Sequence, residues 1–159
     1  MAVNLRDLIK NLKDERYNSC IIYGDAGIGK SAYIDTFILK NTDINTVYVS
    51  VINEYPKIQS AQSLFGFSPN KFISWSLSKI EEGEQKPCDV LIIDNFDFII
   101  NLWSSVEKEE FLKLVEKFLE KSVSTIPSIF VFHTDPLIES QLDKKFITKY
   151  SELEIQNIY

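Results

Sequence analysis

Between Asn4 and Asp14 the apolar residues Leu5, Leu8, Ile9 and Leu12 recur at helical spacing with charges between them, which predicts an amphipathic helix. Asn18-Ser19 closes that segment, and the apolar run Cys20-Ile21-Ile22-Tyr23 predicts a first strand. A helix is expected from Ala32 to Leu39. Asn41-Thr42-Asp43 then punctuates, and Thr46 to Val51 is β-branched enough for a second strand. Pro56 and Gly66 break the stretch from Asn53 to Phe67, where a loop with one short helix is expected. Ser68-Pro69 opens the next helix, with serine as N-cap and proline at the first helical position, and Gly83 stops it after Glu82. Val90-Leu91-Ile92-Ile93 is apolar without alternation, the pattern of a strand covered on both faces. Ser104-x-x-Glu107 is a capping box, and the run after it sets Phe111, Leu114, Val115 and Phe118 on one face. Ile129 to Phe132 reads as another buried strand. Asp135-Pro136 opens a helix over Leu137 to Phe146, and Tyr150 to Ile155 reads as the last strand.

Strands and helices alternate along the whole chain, with no internal repeat, low-complexity tract or interdomain linker. The order predicts an α/β fold of one domain over residues 1–159, a mainly parallel five-stranded sheet with helices on both faces. Sheets of this kind bind nucleotides at the carboxyl ends of their strands. Gly24, Asp94 and Thr134 each follow a predicted strand end, so one site can gather them.

Composition narrows the classes. Hydrophobic residues are 45% and charged residues 25% of the chain, which excludes a disordered polyelectrolyte. With a net charge of −6 the chain is a poor generic polyanion binder. DNA contact would need a local patch such as Lys71, Lys79 or the cluster Lys144, Lys145 and Lys149. Cys20 and Cys88 each start an apolar run, as reduced core thiols do, and their spacing suggests no metal or redox pair. Met1 to Lys13 is charged and amphipathic, unlike a signal peptide, and no apolar run reaches membrane-spanning length. The expectation is a cytoplasmic protein with no membrane contact.

The strongest chemistry lies in Gly24-Asp25-Ala26-Gly27-Ile28-Gly29-Lys30-Ser31, which fits G-x-x-x-x-G-K-[ST] at every fixed position, with a strand before it and a helix after. Glycines allow the backbone to curl round a phosphate with its N–H groups inward, and the helix adds the positive end of its dipole. Lys30 is expected between the β- and γ-phosphates of ATP, and the Ser31 hydroxyl on Mg²⁺. The bland alternative, a glycine-rich turn before a helix, explains neither the preceding strand nor the acidic motif downstream. That motif is Asp94, a Walker B-type carboxylate directly after four apolar residues, which would hold the same Mg²⁺. An aspartate closing a strand also serves simply to cap a turn. Next stands Asn95, where many hydrolytic relatives carry glutamate. An amide orients water but cannot take its proton, so hydrolysis is expected to be slow or to depend on a neighbouring subunit. Asp97 is a substitute base or a solvated turn residue. Thr134 stands where ATPases with motifs similar to these carry a polar γ-phosphate sensor, and that likeness implies the role for Thr134, while His133, the only histidine, reads as either packed or catalytic.

GDAGIGKS, LIIDNFDFI, FHTDP and Gln141-Leu142-Asp143-Lys144-Lys145-Phe146 resemble, in order, the motifs of AAA+ P-loop ATPases of the initiator and helicase-loader branch. The resemblance spans roughly residues 18–156 and implies a three-layer αβα P-loop NTPase. It also implies a trans-acting finger at Lys145 or Lys144, where relatives carry an arginine with its bidentate fork. A solvated helix end explains those lysines equally well. The only arginines are Arg6 and Arg16, ahead of the first strand, and the chain stops where the family's helical lid begins. In size and motif order it is similar to the BrxF small ATPases of bacterial BREX phage-defence systems. These likenesses imply an ATPase acting as a nucleotide switch or assembly factor in a homo-oligomer or larger complex. A non-hydrolysing ATP-binding adaptor is the main rival. A small-molecule kinase lacks its clamping arginines downstream of the loop, and Asn70-Lys71-Phe72-Ile73 falls short of the N-K-x-D that reads guanine. Trp103 and Phe65-Gly66-Phe67 are either core or interface.

Overall fold

The computed structural model describes residues 4–14, 19–25, 27–54, 68–82, 88–119, 126–133, 140 and 147–149. In chain order the elements are α1 (Leu5–Asp14), β1 (Ser19–Gly24), α2 (Lys30–Lys40), β2 (Thr46–Ser50), α3 (Pro69–Glu82), β3 (Val90–Asp94), α4 (Asp97–Ile100), α5 (Ser105–Leu119), β4 (Ser128–His133) and β5 (Ile147–Lys149). The strands run parallel in the order β2-β3-β4-β1, and the three-residue β5 pairs with the other side of β1.

Because successive strand residues point to opposite faces, the sheet sorts its apolar residues into two cores. One face carries Cys20 and Ile22, Val90 and Ile92, and Ile129 and Val131, packed with Leu5, Ile9 and Leu12 of α1 and Ile34 and Phe37 of α2. The other carries Ile21, Leu91, Ile93, Phe130 and Phe132, packed with Phe72 and Ile73 of α3 and Phe111, Leu112 and Val115 of α5. Both faces of β3 and β4 are therefore buried, which is why neither strand alternates in sequence. Phe96 centres the second core, with ring centroids 4.9 Å from Phe72 and 5.8 Å from Phe132. Trp103 joins it 5.2 Å from Phe111 and only 7% exposed, so it is a core residue. Phe65-Gly66-Phe67 lies outside the described residues.

Local signals act where the sequence puts them. The Asn4 side chain accepts the Arg6 N–H at 2.8 Å, Ser68 Oγ faces the Lys71 N–H at 3.4 Å, and Ser104 and Glu107 bond reciprocally at 3.2 Å. Other details differ from the sequence reading. Val51 leaves β2 for a helical turn at 51–54. Leu112, not anticipated, is buried beside Phe111, because the covered stripe of α5 is wider than one heptad seam. Strand pairing near the carboxyl end is seen at Ile147–Lys149, where two β-branched residues adjoin, and the expected strand 150–155 and most of the helix 137–146 lie outside the described residues.

Parallel register fixes which strand ends are neighbours. Gly24 stands opposite His133, and Ser50 opposite Asp94. Four carboxyl ends thus form one edge of the sheet.

Candidate functional site

At that edge β1 gives way to the glycine-rich loop and then to α2. Gly27 has φ 77° and Gly29 φ 98°, backbone that costs an L-residue roughly 1–2 kcal/mol. A Cβ at Gly27 would meet nothing within 4 Å, so conformation rather than crowding calls for glycine there. The first intrahelical bond of α2 runs from the Tyr33 N–H to the Gly29 carbonyl at 2.9 Å. The N–H groups ahead of it in the first turn are the ones a helix leaves for an outside acceptor.

Lys30 starts α2 and is 6% exposed. Its ammonium donates to the carbonyls of Gly24 and Asp25, each at 2.7 Å, which leaves one of its three N–H donors for another acceptor. Burial lowers the lysine below its ordinary range, opposed by the charges of Asp97, Asp94 and Asp25. Beside it, Ser31 Oγ donates to Asp94 Oδ2 at 2.7 Å. The hydroxyl keeps its lone pairs, and with a buried carboxylate it forms the hard oxygen donor set that Mg²⁺ takes alongside phosphate oxygens. The residues present suit a hard divalent cation beside an anion. Among the described residues no cluster of three or more His, Cys, Asp or Glu forms a separate metal site.

Asp94 has a partner that sequence reasoning missed. The Tyr48 hydroxyl donates to the same Oδ2 at 2.7 Å, while Asp94 Oδ1 accepts the Asn95 N–H at 2.8 Å. Burial first, and then the bond to Asp94, push the Tyr48 hydroxyl above the ordinary tyrosine range. Asn95 takes φ 56°, which asparagine tolerates better than most residues. Its Nδ2 donates to Ser50 Oγ at 2.9 Å, and its Oδ1 lies 3.4 Å from Ser31 Oγ. Ser50, also unanticipated, is found only once β2 is known to lie beside β3.

Asp97 is not a solvated turn residue. It opens the one-turn α4 and reaches across to β4, where its Oδ1 accepts the His133 backbone N–H at 2.6 Å and its Oδ2 lies 3.6 Å from His133 Nε2. Burial raises this carboxyl above its ordinary range, opposed by bonding to His133 and by the charges of His133 and Lys30.

Ala26, Thr134, Lys144, Lys145 and Arg16 lie outside the described residues. Arg6 is held by Asp43 in a two-pronged ion pair and by Asn41 at 3.1 Å. This pair borders a cavity of about 420 Å³ between α1 and the turns before β2 and β3, at the opposite edge of the sheet. Lys71 is exposed on α3. Lys79 lies 3.6 Å from Glu54 and 4.9 Å from the Trp75 ring centroid. No helix among the described residues is long and apolar enough to cross a membrane.

No protein-family model matches the chain, and no curated protein matches it.

Proposed function

We propose that the protein is a Mg²⁺-dependent ATP-binding protein with slow ATPase activity, built as a three-layer αβα P-loop domain of the AAA+ type. The observation that carries this reading is the bond from Ser31 Oγ to Asp94 Oδ2 at 2.7 Å, which joins two motifs 63 residues apart in sequence. Beside it the left-handed glycines, the buried Lys30 ammonium and the start of α2 supply donors for a polyphosphate. Ser31 and Asp94 are the residues that would hold Mg²⁺, which would supply positive charge against the charge developing on the phosphates. Lys30 binds and orients the terminal phosphates.

Equilibrium binding of a fluorescent ATP analogue, with Mg²⁺ and with EDTA, tests it. Lys30→Ala is expected to weaken binding about 10- to 100-fold, the loss of one charge-assisted contact. Unchanged affinity in that variant would end the reading.

An ATP-binding adaptor is the second reading, favoured by the Asn95 amide being bonded to Ser50. Turnover measured against protein concentration, with and without DNA, separates the two. Steeply concentration-dependent turnover indicates an oligomer with shared sites, as a nucleotide-driven assembly factor in the cytoplasm or in a phage-defence complex requires. Tight binding with no turnover indicates the adaptor.

A further inference from the structure

A group that takes the proton of the attacking water speeds hydrolysis, and Asn95 has no such capacity. Another pair stands on the same edge of the sheet. His133 is the register partner of Gly24, the first residue of the phosphate loop, and the Gly24 carbonyl holds the Lys30 ammonium. Asp97 clamps His133 twice, through the backbone N–H at 2.6 Å and through Nε2 at 3.6 Å. The second distance is longer than a hydrogen bond, and catalytic contacts of this type often tighten only around substrate. With Nε2 turned to the carboxylate, Nδ1 is the atom left to meet water, and the His133 side chain is 47% exposed.

We propose that His133, oriented by Asp97, is the general base of ATP hydrolysis in this chain. The assignment rests on the ATPase reading above. Neutral Nδ1 accepts a proton from water as the water oxygen bonds to the γ-phosphorus. The bond from that phosphorus to the β–γ bridging oxygen breaks, and its electron pair leaves with ADP. Inorganic phosphate is the other product, and the imidazolium returns its proton to solvent. Asp97 is the positioning residue: its carboxylate favours the imidazolium that forms, by the same logic that orients the histidine of a catalytic triad. Lys30 at the start of α2 acts on Asp97, and Lys30 in turn feels the charges of Asp94 at the end of β3 and Asp25 in the loop. A base works only when neutral, so turnover is lost under acid conditions.

His133 is the only histidine, so NMR of the chain shows a single imidazole. In the full chain, His133→Gln is expected to keep ATP-analogue affinity within about twofold. Its turnover should fall about 100-fold, the lower end of what general-base catalysis contributes, with the acid limb of the pH profile lost. Asp97→Asn keeps an oxygen for the His133 N–H but removes the charge. It should change the imidazole resonance, and a Mg²⁺-bound non-hydrolysable ATP analogue should perturb that resonance in the wild type. Wild-type turnover in His133→Gln, or an imidazole indifferent to both Asp97→Asn and nucleotide, overturns the assignment. Binding without turnover in the wild type overturns it too and leaves the binding reading standing. Failure of the wild type to bind the analogue defeats the ATPase reading itself.

Discussion

Asp94 accepts hydrogen bonds from three places at once: Ser31 at the start of α2, Tyr48 on β2 and its own neighbour's backbone at Asn95. A carboxylate gripped on both oxygens keeps one rotamer, and that rotamer faces the Ser31 hydroxyl. Tyr48→Phe removes one grip without changing the shape of the ring. A net hydrogen bond of about 1 kcal/mol corresponds to roughly fivefold in affinity, so the variant should bind the ATP analogue about fivefold more weakly with Mg²⁺ and equally well in EDTA. Equal loss in both conditions would mean that Tyr48 supports the loop rather than the carboxylate. The tyrosine also carries a pH signature. Its hydroxyl titrates above its ordinary value of 10.0 in the fold. Its contribution to stability is therefore full below that value and is lost as pH rises through the raised one. Urea midpoints from pH 8 to 11 should fall more steeply in the wild type than in Tyr48→Phe.

Elements are held at their ends by contacts that need only neighbouring residues, and these are the features that sequence reveals. The Ser104–Glu107 box at the start of α5 is the clearest, with two reciprocal bonds of 3.2 Å. Ser104→Ala should lower unfolding free energy by about 1 kcal/mol, read as a shift of the urea midpoint at constant slope, with ATP-analogue binding unchanged. The glycine-rich loop and the strand-end Asp94 could be picked out for the same reason, since contiguous spacing marks them, and the bond between Ser31 and Asp94 brings them together. The pairs Tyr48–Asp94, Asn95–Ser50 and Asp97–His133 could not, because each depends on which strand lies beside which. Nothing local in Thr46 to Ser50 says that β2 borders β3, and without that register Tyr48 is one more residue of a half-buried strand. The left-handed backbone at Asn95 and the single turn of α4 were hidden too; they flank Phe96, whose ring packs in the aromatic core through partners distant in sequence.

Across the whole molecule, the sheet divides the chain into two cores, and Cys20 lies in one of them while Cys88 belongs to neither. Cys20 sits on β1 under α1 and α2, and burial pushes its thiol up to about 12. Cys88 lies just ahead of β3, half-buried, with its Sγ donating to the Val90 carbonyl at 3.3 Å. Only a thiolate attacks a disulfide reagent, so at pH 8 Cys20 is protected both by access and by ionisation. An aromatic disulfide reagent should therefore modify one thiol of the native protein, and Cys88→Ser should leave it silent until denaturant is added. Ile9→Ala hollows the α1 side of that core at a cost of about 2–5 kcal/mol and should make Cys20 reactive at lower denaturant, with Cys88 unaffected. Rapid labelling of Cys20 in the native Cys88→Ser protein would mean that α1 and α2 do not cover β1. The loop that leaves β1 for α2 would then lose the packing that fixes Lys30 and Ser31 opposite Asp94.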